Sequence, residues 1–125
     1  MLKDQTSSAI VPCSDVAAAR RFYTETLGLA VVEDHGDVFA VQTGDSRLNV
    51  YKSDYAGTNK ANAVVWNAVD EIEAIAADLR AKGVTLDEYP EGFDRVTEGV
   101  HVKGSFKAIW LKDPDGNILH VNGGM

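Results

Sequence analysis

The residues with the widest chemical scope in this 125-residue chain are three histidines, one cysteine and two tryptophans. His120 stands in Ile118-Leu119-His120-Val121-Asn122, a run with strand character, and an imidazole that titrates near neutrality can ligate a metal or act as general acid or base. His35 sits in the turn chemistry of His35-Gly36-Asp37, and His101 in a stretch punctuated by glycines. Cys13 has no second thiol, so neither an intramolecular disulfide nor a thiolate zinc cluster can form, and a buried, inert thiol is expected. Trp66, Trp110 and Tyr51 offer flat apolar surface for stacking an organic ring. The plain alternatives are core packing for the tryptophans and a simple hydrogen-bonding role for His120.

Charge narrows the partners. Nineteen acidic against twelve basic residues give a net charge of −7, with no basic patch in the sequence to override it. Such a field repels nucleic acid and anionic membranes; it serves solubility and mildly favours a cationic ligand. No apolar stretch approaches the roughly 20 residues that span a bilayer, and residues 1–8 lack a hydrophobic signal segment, so a cytoplasmic location is expected. With 45% hydrophobic residues the chain can bury a real core, and a single domain over residues 1–125 is expected.

The elements that would position these groups are readable from periodicity and turn residues. Residues 8–13 read as a strand, with Pro12 toward an edge or strand end. A helix follows, capped by Ser14 or Asp15, with Val16, Ala19, Phe22 and Tyr23 on one stripe and Gly28 as its stop. Strands at 30–33, 38–43 and 48–52 are separated by turns. Residues 53–62 are small and polar and read as a connection. The pattern then restarts. A strand at 63–68 leads to Asp70 as cap and to Ile72, Ile75, Ala76 and Leu79 at helical spacing, with Gly83 as the stop. A strand at 84–89 is followed by a glycine-punctuated stretch, 90–105, with weak strand character at 100–103. Strands at 106–111 and 118–122 flank the tight turn Asp113-Pro114-Asp115-Gly116. This internal repeat gives an α+β fold of two β-α-β-β-β modules, residues 7–53 and 62–123. Together they would form a curved mixed sheet with helices on the outer face and a concave ligand cavity.

Three fragments in this order carry a family resemblance. Ser14-Asp15 followed by Arg21-Phe22-Tyr23 and Leu27-Gly28-Leu29 resembles the opening helix of the vicinal oxygen chelate superfamily. Val69-Asp70-Glu71-Ile72-Glu73-Ala74 with Lys82-Gly83-Val84 resembles its second helix, and Asp113-Pro114-Asp115-Gly116-Asn117 its last hairpin. That superfamily includes glyoxalases, extradiol dioxygenases, epimerases, thiol-transferring fosfomycin enzymes and proteins that bind bleomycin-type drugs without chemistry, so fold alone does not choose the activity. The resemblance implies metal-ligand positions at Ser8, Asn49, Val64 or a neighbour, and His120. Serine is a poor ligand, an amide oxygen binds more weakly than a carboxylate, and valine has no donor atom. Only His120 is competent, which implies no metal and no cofactor.

Strand alternation extends the candidate ligand-binding set: Ser8 with Ile10; Asn49 with Arg47 and Tyr51; Trp66 beside Val64; His120 with Ile118 and Asn122; and Trp110 on the neighbouring strand. Phe93, Arg95 and His101 of the 90–105 stretch could form a lid. The resemblance therefore implies a metal-independent small-molecule-binding protein, closest to the drug-binding members, sequestering an aromatic or cationic metabolite or antibiotic. The alternative is a metal-dependent lyase, isomerase or dioxygenase using His120 with non-standard ligands. A metal-free enzyme with His120 as acid or base, and a scaffold with no ligand, are the remaining classes. The resemblance also implies a homodimer, with a small molecule and neither nucleic acid nor membrane as partner.

Overall fold

The computed structural model describes residues 1–68 and 70–124, so Val69 of the second-helix motif lies outside the described residues. The chain divides into two compact units, Met1–Thr58 and Asn59–Met125, with the boundary inside the polar 53–62 connection.

The first unit contains β1 (Ala9–Cys13), α1 (Val16–Arg21), β2 (Ala30–Asp34), β3 (Val38–Thr43) and β4 (Ser46–Lys52), in the sheet order β1-β4-β3-β2. Asp15 is the cap: its carboxylate accepts from the Ala18 N–H at 3.0 Å. Past Arg21 the helix widens into one π-helical turn, Phe22–Thr26, and Gly28, at φ 76°, reverses the chain. Val11, Cys13, Phe39, Val41, Leu48 and Val50 are buried on one face of the sheet, and Ala19 and Tyr23 are the buried residues of the helical segment. β1 is an edge strand that pairs only with β4, where the missing N–H of Pro12 forfeits no ladder bond.

The second unit contains β5 (Asn62–Asn67), α2 (Ile72–Ala81), β6 (Arg95–Thr97), β7 (Val100–Lys103), β8 (Phe106–Lys112) and β9 (Ile118–Gly123), in the order β5-β9-β8-β7-β6. Ile72, Ala76 and Leu79 are the buried stripe of α2, which packs on β7, β8 and β9. In both units the first and last strands pair in parallel and the others antiparallel. This is the α+β arrangement of two modules, with hydrogen bonding confined to a four-stranded and a five-stranded sheet.

Three local expectations change. The cap position of α2 is Glu71 rather than Asp70, and the Glu71 side chain makes no capping bond. The strand expected at 84–89 reduces to a single bridge, Asp87 N–H to Trp110 O at 2.8 Å, because the next available donor, the Tyr89 N–H, goes to a side chain instead. The 90–105 stretch is a hairpin for half its length. Its two-residue turn is Glu98-Gly99 at φ 50° and 85°, the positive angles of a type I′ turn, which glutamate does not advertise.

Candidate functional site

In the second unit, the sheet face turned away from α2 gathers an aromatic cluster around Trp110. Trp110 and His120 are direct cross-strand partners on β8 and β9, and their rings stack at 4.4 Å and 22°. The rings of His101, Tyr89 and Phe93 meet Trp110 edge-on at 4.8, 5.5 and 5.9 Å. The Trp110 indole N–H donates to Asn62 Oδ1 at 3.2 Å. The turn before β9 fixes the strand's entry, since the Asp113 carboxylate accepts from the N–H groups of Asp115 and Asn117 at 3.0 and 2.9 Å.

Both histidines of this cluster are held in one tautomer. His120 is only 7% exposed; its Nδ1 lies 3.1 Å from the Ile109 carbonyl, so Nδ1 carries the proton and Nε2 accepts from the Asn122 amide at 3.1 Å. Burial pushes the His120 pKa below its ordinary value; the Ile109 carbonyl opposes that, and nearby His101 adds to it. His120 is therefore a neutral imidazole at pH 7. His101 is fully buried, donates from Nδ1 to Gly99 O at 3.0 Å and accepts at Nε2 from the Tyr89 N–H at 2.7 Å. It stands on β7 rather than in a loop. Phe93 and Tyr89 come from the connecting segment onto Trp110, as a covering element would, whereas Arg95 pairs with Val102 and points to the α2 side.

The register of β5 corrects two expected site residues. Past a bulge between Asn62 and Val64 the pairing with β9 is regular and puts Val65, the neighbour of Val64, opposite His120 and Trp66 opposite Val121. Val64 and Trp66 therefore lie on the other face of the sheet from His120. Val65, 61% exposed, occupies the His120 face together with Ile118 and Asn122.

In the first unit, the face opposite α1 brings together the expected polar residues. Asn49 is flanked by Ile10 on β1 and Ala40 on β3, and its amide donates to Ser8 Oγ at 2.8 Å and Ala9 O at 3.1 Å. Arg47 and Tyr51 share that face, two residues to either side. Arg47 donates to Glu33 Oε1 at 2.8 Å, and Glu33 also meets His35 at 3.2 Å. The bond from Arg47, then that from His35, holds the Glu33 carboxyl below its usual range. Glu33, Asn62 and Tyr89 were missed as site neighbours. Glu33 and Asn62 reach their places through bulges, and Tyr89 lies in an irregular segment, so strand alternation could not have found them.

The donor set does not fit a metal of the kind the resemblance implies. Ser8 and Asn49 are neutral and bonded to each other, the valines have no donor, and Nε2 of His120 already accepts from Asn122. Among the described residues no three His, Cys, Asp or Glu side chains are grouped so as to hold an ion. Cys13 is buried, and no described helix is long and apolar enough to cross a membrane.

With this geometry in place, the chain's kinship is direct. Residues 5–121 match the Glyoxalase/Bleomycin resistance protein/Dioxygenase superfamily, and the chain belongs to it. It is 22% identical to virulence protein STM3117 of Salmonella typhimurium over 98% of this chain and 85% of that one. Its fold is similar to that of a bleomycin-binding protein solved in complex with bleomycin, with a TM-score of 0.69 and 19% identity over 97% of this chain and 99% of the other. It is equally similar to a lactoylglutathione lyase from Agrobacterium tumefaciens, with a TM-score of 0.69 and 18% identity over 97% and 94% of the two chains. At these identities the likeness is one of fold.

Proposed function

We propose that this protein binds a small, flat organic molecule with a polar edge, aromatic or cationic in character, and does so without a metal. The observation that carries this reading is the neutral His120 stacked on Trp110, with the amides of Asn122 and Asn62 at the rim of the ring pair. Rings supply apolar contact, and amides supply orientation without a charge that would need a counterion. The donor-poor positions Ser8 and Asn49 support the metal-free part, and the net charge of −7 favours a cation over an anion. The bleomycin-binding relative supplies a precedent within the fold for holding an organic drug.

The test is a fluorescence screen of cationic aromatic drugs and metabolites against the W66F variant, which leaves Trp110 as the only tryptophan. Saturable quenching that disappears in N122L supports the reading. Stoichiometric zinc, nickel or iron in protein purified without chelators would overturn its metal-free part.

A second reading has one observation in its favour. Anchoring Nδ1 of His120 to a carbonyl puts the basic lone pair on Nε2, where a substrate proton would have to take the place of the Asn122 amide that now donates to it. It fails if His120→Ala keeps full turnover on an identified substrate.

We also propose that the chain works as a homodimer. Ile10 and Val65, 59% and 61% exposed on the edge strands β1 and β5, are apolar surface a second copy could cover. Sedimentation at the mass of one 13.5 kDa chain would contradict it.

A further inference from the structure

A concavity lies on the α2 side of the second unit's sheet, between α2 and the β6–β7 hairpin. Its volume is about 230 Å³. Register explains its lining. Arg95 pairs with Val102 and Thr97 with Val100, so these four side chains alternate onto the α2 side while His101 and Val96 take the other face. Val100 and Val102, 6% and 4% exposed, form an apolar floor. Arg80, Glu73 and Glu98 complete the wall.

The carboxylates of this wall already have cations. Glu73 accepts from Lys107 at 2.6 Å, and Glu98 lies 3.4 Å from Arg80, which also donates to the Glu98 carbonyl at 2.8 Å. Arg95, by contrast, has no carboxylate within 4.0 Å among the described residues. The lining is balanced, Arg80 and Arg95 against Glu73 and Glu98, but Glu73 is bonded to Lys107 from outside the cleft and Glu98 to Arg80, so among the described residues Arg95 is the lining cation with no ion pair of its own, felt by the Glu73 carboxyl only at longer range. Its guanidinium is a planar fork that can donate to a carboxylate at two points, with the Thr97 hydroxyl two residues away on the same strand face.

We propose that this cleft is a binding site for a short-chain organic monocarboxylate. Arg95 and Thr97 hold the carboxylate, and the hydrocarbon tail lies on Val100 and Val102. The size limits the tail, since the volume lies below the roughly 300–1,000 Å³ that encloses a drug-sized molecule. The site faces the opposite way from the Trp110–His120 cluster, so the two assignments stand or fall independently.

The experiment is a titration of the whole chain with sodium butyrate, followed by NMR of the valine methyls and the arginine side-chain N–H groups. Butanol, butylammonium and inorganic phosphate are run in parallel. Saturable shifts at Arg95, Val100 and Val102 are expected with butyrate and not with butanol or butylammonium. Arg95→Gln, at an exposed position that leaves the core untouched, should weaken binding about tenfold or more, as loss of a charge-assisted pair does. Thr97→Val should weaken it by a smaller factor. Absence of saturation, unchanged affinity in Arg95→Gln, or phosphate binding as tightly as butyrate would each overturn the proposal.

Discussion

The backbone N–H of Tyr89 donates to Nε2 of His101 at 2.7 Å, so a buried side chain on β7 fills a pairing position that a neighbouring strand would otherwise occupy. Because Nδ1 of the same ring donates to Gly99 O, the tautomer is fixed and Nε2 can only accept. One imidazole thus ties the 87–93 segment to the sheet and lays Tyr89 and Phe93 against Trp110.

Replacing His101 with phenylalanine keeps a ring in the cluster but removes the acceptor, leaving the Tyr89 N–H without its partner. A loss of about 1–3 kcal/mol in stability is expected, the usual cost of an unsatisfied donor. Urea denaturation gives the magnitude, and hydrogen exchange at the Tyr89 amide gives the location. Unchanged protection of that amide in His101→Phe would show that the tie is not what holds the segment.

The depressed pKa of His120 has a defined consequence for stability. A group whose pKa is lower in the folded than in the unfolded chain binds more protons when unfolded across the interval between the two values. The stability tied to a neutral His120 is therefore complete above the ordinary histidine value of about 6.5 and is lost as pH falls through the folded value. Comparing unfolding free energies near pH 7.5 and pH 5.5 in wild type and His120→Asn isolates this contribution. The variant should show the shallower dependence; equal slopes would mean that His120 is not buried in its neutral form.

Glu98 is the one non-glycine residue with positive φ among those described, at 50°, in a position where asparagine is preferred. Glu98→Asn should stabilise the chain by roughly 0.5–1 kcal/mol, since the carbonyl that Arg80 uses remains and the exposed ion pair contributes little. Its neighbour Gly99 behaves oppositely. A Cβ there would stand 2.5 Å from Leu86 Cβ on a backbone at φ 85°, so Gly99→Ala should be destabilising by thermal melting. A higher melting temperature for Gly99→Ala would contradict the packing of Leu86 against the turn.

These two residues also mark where the sequence stopped being informative. The helices, their stop glycines and the strands joined by Gly- and Asp-rich turns were legible, because each carries a local signal: Asp15 caps, and Gly28 and Gly83 reverse the chain. The Glu98-Gly99 hairpin was not legible, since tertiary contacts from Arg80 and Leu86 hold a turn that glutamate does not favour. The site was half legible for a related reason. Ser8, Asn49 and His120 were placed by their distance from the resembling motifs and Trp110 as a strand neighbour of His120, but the same counting put the first-strand position one residue early, on Val64, and with it Trp66 on the wrong face, where Val65 stands opposite His120. Successive strand residues take opposite faces, so a slip of one residue in a position counted from distant motifs reverses the face of every residue tied to it by alternation.

That correction makes Trp66 and Trp110 separable reporters. Trp110 stacks on His120 at 4.4 Å, while Trp66 pairs with Val121 on the other side of β9's strand face. Placing a positive charge on a ring stacked against an indole alters the indole's emission through its π-system. In Trp66→Phe, emission should therefore change with acidification, with a midpoint below the ordinary histidine value because burial disfavours the charged ring. In Trp110→Phe, the remaining Trp66 should show no such transition. Adding His120→Asn to Trp66→Phe should abolish it, which distinguishes His120 from His101, whose ring meets Trp110 edge-on at 4.8 Å. A transition that survives in that double variant would remove His120 from the centre of the site.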